Sequence, residues 1–549
     1  MKTKFRVLSV IAAIAVIGIS YYFTLPPINI HSIEFWNFLL FSTLLILVAT
    51  GITKNGFKLL AHKIQSSSPD RRMKVLLGEL RVVPIVIIIV ALAVPFLGNF
   101  VSSTFFNAKS YSEIITVKDA IFEDDMVECE TVTNIALMDS ASAAIIGNRT
   151  LGSLSQVVSQ YEISGTYTQI NFKDTPKKVA NLEYADFFRW FNNKSKGIPG
   201  YVMVDPVNNS AEYVESSKPM VYAQSGYLGD YLLRKLRFSY PTKIFDKPKF
   251  EVDEKGDPKY IVPCMTARVM LFGAMDVEGV IIFDPCTGNS EYFKTSEVPS
   301  WVDIVYDGNL AIQKYNWKGM LSGGYWNSVI GNVDCKIATD DFGYIVIEDD
   351  VWYFTGVTSI TSDESNIGFI LTNARTAEYK YYPVVGAEEY SAMHAAEGEV
   401  QEKGYVASFP SLINVSGEAT YIMVLKDSGG LVKLYALVNV ENYSIVTTGT
   451  TQTEALAAYK KKLAESGILS DKDVTENTPS DSITVKDVRI ILMDNVSVAY
   501  ITSESGLVYK KAVMADESLM LISAGDKITV YYAETQTEGI REIISWEKN

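Results

Sequence analysis

The sequence predicts an α+β protein: three apolar helices at the N-terminus, then tandem modules of a helix on an antiparallel sheet, then a small OB-like β-barrel at the C-terminus. Three observations predict it. The first 100 residues hold three long apolar stretches, a hairpin-like segment recurs further along, and the last stretch alternates apolar and polar residues in short runs. A chain of 549 residues is long enough for several such domains.

The apolar stretches run over about residues 5–25, 35–52 and 82–100. At a rise of about 1.5 Å per residue each is long enough for a hydrocarbon core about 30 Å thick. The loop between the second and third carries Lys54, Lys58, Lys63, Arg71, Arg72, Lys74 and Arg81, and the N-terminus carries Lys2, Lys4 and Arg6. Basic flanks stay in the cytoplasm, so the expected topology is N-in and C-out, with residues 101–549 on the extracytoplasmic side of the plasma membrane. A basic start followed by an apolar run also fits a signal peptide, but this run is longer than a signal core, which favours a retained helix. Pro84 and Pro95 lie near the ends of the third stretch, where a membrane helix tolerates them.

The whole chain has 49 Lys+Arg against 64 Asp+Glu, a formal charge of −15. Because the first 100 residues are basic, the acidity falls on the expected exterior. Such a surface repels nucleic acid, which is excluded as a partner. Cys129, Cys264, Cys286 and Cys335 show no CxxC and no metal-ligand spacing. Buried thiols are the simpler reading, and a Cys264–Cys286 disulfide between adjacent predicted strands is the alternative.

After a small α/β membrane-proximal domain over residues 101–165, the recurring segment begins. GYVMVDPVNNSAEYV from Gly200 and GVIIFDPCTGNSEYF from Gly279 align without a gap, and GFILTNARTAEYKYY from Gly368 joins them with a shorter turn. Each reads as a β-hairpin. Asp205 and Asp284 suit a turn start because a short carboxylate accepts from N–H groups two residues on; Pro206 and Pro285 preset φ, and Gly288 takes a positive φ. Asn373 replaces the Asp in the third copy, so the Asp is not a shared metal ligand. The units run over residues 166–225, 226–300 and 301–385, with a degenerate fourth over 386–466. Helical periodicity predicts helices over Leu182–Asn193, Tyr227–Phe238, Gly386–Tyr405 and Thr453–Ser466. A polar linker over residues 467–482 leads to the barrel over residues 483–549.

The run IIFDPCTGNSEYF from Ile281 to Phe293, supported by VMVDPVNNSAEYV and ILTNARTAEYKYY, resembles the PepSY module of bacterial envelope proteins and protease propeptides. The resemblance covers about residues 166–463 and implies non-covalent binding or modulation of envelope enzymes.

Chemistry is sparse. The 3 histidines leave only His394 in the modules, which argues against histidine-based hydrolases and zinc sites. The acidic clusters Glu123-Asp124-Asp125, Asp340-Asp341 and Glu348-Asp349-Asp350 read as solvated turn charges, with Asp340, Asp341, Asp349 and Asp350 as calcium candidates. A carboxylate glycosidase would need two acids facing across a cleft. The 32 tyrosines fit sheet faces as readily as sugar platforms. No catalytic residue and no cofactor are expected. The expectation is a non-enzymatic, membrane-integral envelope scaffold that contacts protein or cell-wall glycan, with self-association open, and a PepSY-like modulator of an envelope protease, cell-wall enzyme or transporter as the alternative.

Overall fold

A computed structural model describes residues 2–50, 82–126, 128–129, 137–347, 349–360, 365–469, 479–493, 496–513, 516–534 and 539–548. The basic loop from Lys54 to Arg81, Glu348 and most of the linker ahead of the barrel lie outside them. Helix and strand are mixed, and the chain divides into two compact units: residues 1–118, 143–363 and 370–380, and residues 119–142, 364–369 and 381–549.

The first unit begins with helices Lys2–Thr24, Ile33–Thr50 and Val82–Val101. Among the described residues one helix, Val83–Val101, is long and apolar enough to cross a membrane, with mean hydropathy 2.5. The expectation of three spans is corrected to one clear candidate: the other two helices carry shorter apolar runs, Leu8–Thr24 and Ile33–Ala49.

Three antiparallel strand systems follow. One sheet joins Tyr161–Ile163, Thr168–Asn171, Pro176–Tyr184, Ile198–Asp205 and Ser210–Met220. A second joins Ile244–Phe245, Lys249–Val252, Pro258–Val269, Gly273–Phe283 and Ser290–Lys294. A six-stranded sheet is built on Asp350–Ser359, which pairs with Gly343–Ile347 and Lys336–Ala338. Helix Gly308–Leu321, which the periodicity did not reveal, carries Ala311 into a core with Ile304, Val351 and Tyr353.

The expected helix Leu182–Asn193 is shorter. Leu182–Tyr184 stays in a strand paired with Tyr161–Ile163, and the helix is Phe187–Asn193. Asp186 sets the boundary by accepting from Arg189 N at 2.9 Å as N-cap. Likewise Tyr227–Phe238 splits into a 3₁₀ turn at Leu228–Asp230 and a helix at Leu232–Ser239.

In the second unit Ser411–Val415, Glu418–Lys426, Val432–Asn439 and Val446–Gly449 form one sheet with Val406–Ala407. Helix Gln452–Glu465 lays Ala455, Leu456, Tyr459 and Leu463 on it against Ile422, Val424 and Leu437. The C-terminal strands Ser480–Met493, Val496–Ser503, Val508–Ala512, Ile540–Lys548 and Lys527–Glu534 close, in that order, into a barrel. A parallel pairing joins Val508–Ala512 to Ile540–Lys548. Ile501, Tyr509, Ile528 and Val530 fill the interior.

Candidate functional site

The recurring hairpins share one local device. Gly200, Gly279 and Gly368 each lie beneath a tyrosine of the facing strand: Tyr213, Tyr292 and Tyr381. A Cβ at Gly279 would stand 2.3 Å from Phe293 O and 2.5 Å from Tyr292 Oη. The corresponding distances are 2.2 Å to Val214 O at Gly200 and 2.5 Å to Tyr382 O at Gly368. Tyr292 Oη donates to Glu278 O at 3.3 Å and Tyr381 Oη to Ile367 O at 2.8 Å, in both cases the carbonyl just before the glycine. A bulge precedes Gly200 and Gly279. Glycine is needed because strand and ring approach too closely for a side chain.

The turns are equally alike. Asp205 accepts from Val207 N and Asn208 N, Asp284 from Cys286 N and Thr287 N, and Asn373 from Arg375 N and Thr376 N, all between 2.8 and 3.1 Å. For Asp205 burial works against the charge, but Lys177 at 2.7 Å and the turn N–H groups outweigh it and hold the carboxyl at about 2. Asp284 is lowered in the same way, against burial, by its turn N–H groups and Lys259. Pro206 and Pro285 occupy the second turn position, and Gly288 has φ of +76°.

The calcium candidates do not converge. Asp350 is gripped by Arg375, with Nη2 at 2.6 and 2.8 Å from its two oxygens, and by Asn373 Nδ2 at 2.8 Å. Asp349 accepts from Asn171 Nδ2 at 2.7 Å, Asp341 accepts from Phe342 N, and Asp340 is exposed. Among the described residues no group of three or more His, Cys, Asp or Glu is placed to hold a metal ion. His394 is exposed on helix Glu389–Glu399. Cys264 and Cys286 are separate thiols, with Sγ at 3.9 Å from Val262 O and 3.1 Å from Lys218 O. Burial pushes the Cys264 thiol up to about 12.

The strongest electrostatic feature is a pair the sequence did not single out. Glu251, on strand Lys249–Val252, is 0% exposed and accepts from Asp303 N at 3.0 Å and Ile304 N at 2.9 Å. Asp303, 4% exposed, accepts from Asn171 N at 2.9 Å. Burial pushes Glu251 up to about 7, against the pull of the two N–H groups and Lys249. Burial and then the charge of Glu251 push Asp303 up to about 9. With both carboxyls raised by burial, the pair holds a proton at neutral pH.

The pair ties three segments together: the end of strand Thr168–Asn171, strand Lys249–Val252 and the approach to helix Gly308–Leu321. The contacts are built from backbone N–H donors, and neither acid reaches solvent. No sugar ring fits between acids that meet through one residue's own N–H, so this geometry lacks the cleft a glycosidase needs. The buried pair Lys314–Asp276 at 2.8 Å, in contrast, balances its own charge.

A shallow apolar groove of about 490 Å³ is lined by Ala93, Val94, Leu97, Gly98, Val101, Ser102, Met270 and Leu271. The Met270–Phe272 turn is pinned there: Leu271 N and Phe272 N donate to Ser102 Oγ at 3.2 and 3.1 Å, and Phe272 packs on Gly98. Comparison with protein-family models and with curated proteins finds no match for the chain.

Proposed function

We propose that the chain is a membrane-anchored scaffold of the cell envelope, with residues 101–549 on the extracytoplasmic side and β-rich modules offering surfaces to protein or glycan. One observation carries this reading. What recurs at Gly200, Gly279 and Gly368 is a glycine under a tyrosine followed by a side-chain-capped turn, which are parts that make folds, while no polar set recurs with them. The anchor, N-in and C-out, rests on the long apolar helix Val83–Val101. The barrel's strand order and the parallel pairing of Val508–Ala512 with Ile540–Lys548 support an OB-like reading, and its acidic chain favours a protein or glycan ligand over nucleic acid.

A PepSY-like modulator of an envelope enzyme is the second reading, favoured by the Asp284 turn and the aromatic-ended strand after it. Crosslinking of the intact protein in its native envelope, with capture identified by mass spectrometry, separates the two. Wall polymer or several envelope proteins in modest yield are expected of a scaffold. Capture of one enzyme whose activity changes on binding overturns it in favour of the modulator.

A further inference from the structure

Three exposed apolar protrusions stand beside the ends of the long apolar helices. The largest is the segment from Tyr325 to Val333, turned by the π-helical residues Asn327–Gly331. Trp326 is 64% exposed and Ile330 73%, with Val329 and Val333 also exposed, and the segment contains no charged residue in a chain of net charge −15. An unbroken series of ring contacts links it to the helix Val82–Val101: Phe100 to Phe106 at 5.0 Å, Phe106 to Phe105 at 4.8 Å, and Phe105 to Trp326 at 6.0 Å.

Met270 is the second protrusion, 60% exposed at the rim of the groove along that same helix. Phe238 is the third. It is 56% exposed and its ring meets Tyr21 at 6.0 Å and Tyr22 at 6.2 Å, at the end of helix Lys2–Thr24. Arg234 and Arg237, beside it, donate to Tyr22 O at 3.0 Å and Leu25 O at 2.9 Å. Each protrusion therefore continues the apolar surface of a helix past its end instead of standing alone on the module.

We propose that the segment Tyr325–Val333, with Met270 and Phe238, is a footing that sinks into the interfacial zone of the bilayer crossed by helix Val82–Val101. The proposal rests on reading that helix as a membrane span. Aromatic and branched apolar side chains at the level where a span leaves the hydrocarbon are what an interfacial contact uses. Large apolar side chains left in water forgo the free energy that burial would give them. The absence of charge in the segment means that the contact is apolar, so it depends little on anionic headgroups.

The test uses the full chain in phosphatidylcholine vesicles whose acyl chains are brominated near the glycerol. The emission lost on Trp326→Phe, taken as a difference from the unsubstituted protein, isolates Trp326. Footing predicts that this difference emission is quenched about twofold or more by the brominated lipid and shielded from aqueous acrylamide. Leu92→Trp, midway along the helix, reports the span separately in vesicles whose lipid is brominated near the ends of the acyl chains. Quenching of Leu92→Trp without quenching of Trp326 overturns the footing and keeps the span; shielding of Trp326 from both quenchers overturns it in favour of a second protein copy. If neither tryptophan is quenched by lipid, the span and the footing fall together. Replacement of a third of the lipid by phosphatidylglycerol leaves the Trp326 quenching within about twofold, and a larger dependence overturns the apolar basis.

Discussion

At the scale of single residues, Glu251 and Asp303 set a pH dependence opposite to that of most acids. A carboxyl with its ordinary value in the unfolded chain, about 4, is protonated less there than in the folded site, where burial lifts Glu251 to about 7 and Asp303 to about 9. The folded state then holds more protons between those limits, so stability is greatest below the unfolded value and falls as pH rises through the window up to about 9. Asp205 and Asp284 run the other way, losing stability only as pH falls below the usual carboxylate range. Asp303→Asn keeps an acceptor for Asn171 N and removes the second ionisation. The variant should melt with a much flatter dependence between pH 5 and pH 9 than the unsubstituted protein, which should lose about 2 kcal/mol or more over that range. Parallel melting curves for both proteins would count against the raised Asp303 carboxyl. Gly279 offers a steric test: Gly279→Ala puts a Cβ against Phe293 O and Tyr292, at an expected cost of about 1–3 kcal/mol in denaturant unfolding. Gly152→Ala, with open space around it, should change stability by less than about 0.5 kcal/mol.

At the scale of elements, the end of helix Lys2–Thr24 is held by side chains from far along the chain. Arg237 is 5% exposed and donates through Nε to Leu25 O and through Nη1 to Lys243 O, where the last carbonyls of the helix lack partners of their own. Burial lowers its pKa, but the guanidinium stays charged and faces the negative end of the helix dipole. Arg237→Ala removes the donor to Leu25 O and Lys243 O, and a loss of about 2–3 kcal/mol in thermal melting of the reconstituted protein is expected. Arg237→Lys should recover part of it, and equal melting of all three would show the contact to be idle. Elements differed in how legible they were. The hairpins were readable because Asp205, Asp284 and Asn373 announce their turns through local hydrogen bonds that depend on nearby residues alone. Helix Gly308–Leu321 was not, because Gly308 and Gly319 fit close contacts with Phe342 and Lys336 and dilute its apolar stripe. Glu251 was invisible for a related reason. It sits beside Phe250 in an ordinary alternating strand, and only the arrival of Asp303 and Ile304 from elsewhere makes it a buried acid. Asp303, inside the apolar run from Trp301 to Tyr306, carried a faint signal.

At the scale of the whole molecule, each of the two compact units has its own core, with Ile261, Val280 and Val302 in the first and Ile422, Leu437 and Tyr459 in the second. Separate cores need not melt together, so scanning calorimetry of the intact chain should resolve at least two transitions. Their pH responses identify them. Glu251 and Asp303 both belong to the first unit, so its transition should move to lower temperature as pH rises from 5 to 9 by about 4 °C or more. In the second unit Glu542 is raised by burial and Glu454 and restrained by Lys510 and Lys511, while Asp139 and Asp526 are lowered. Its transition should therefore shift less over the same range and fall chiefly in acid. Asp303→Asn supplies the discriminating step, because it should flatten the first transition and leave the second where it was. A single transition that moves as one with pH would mean that the two cores unfold as one cooperative body, with Glu251 and Asp303 setting the pH dependence of both.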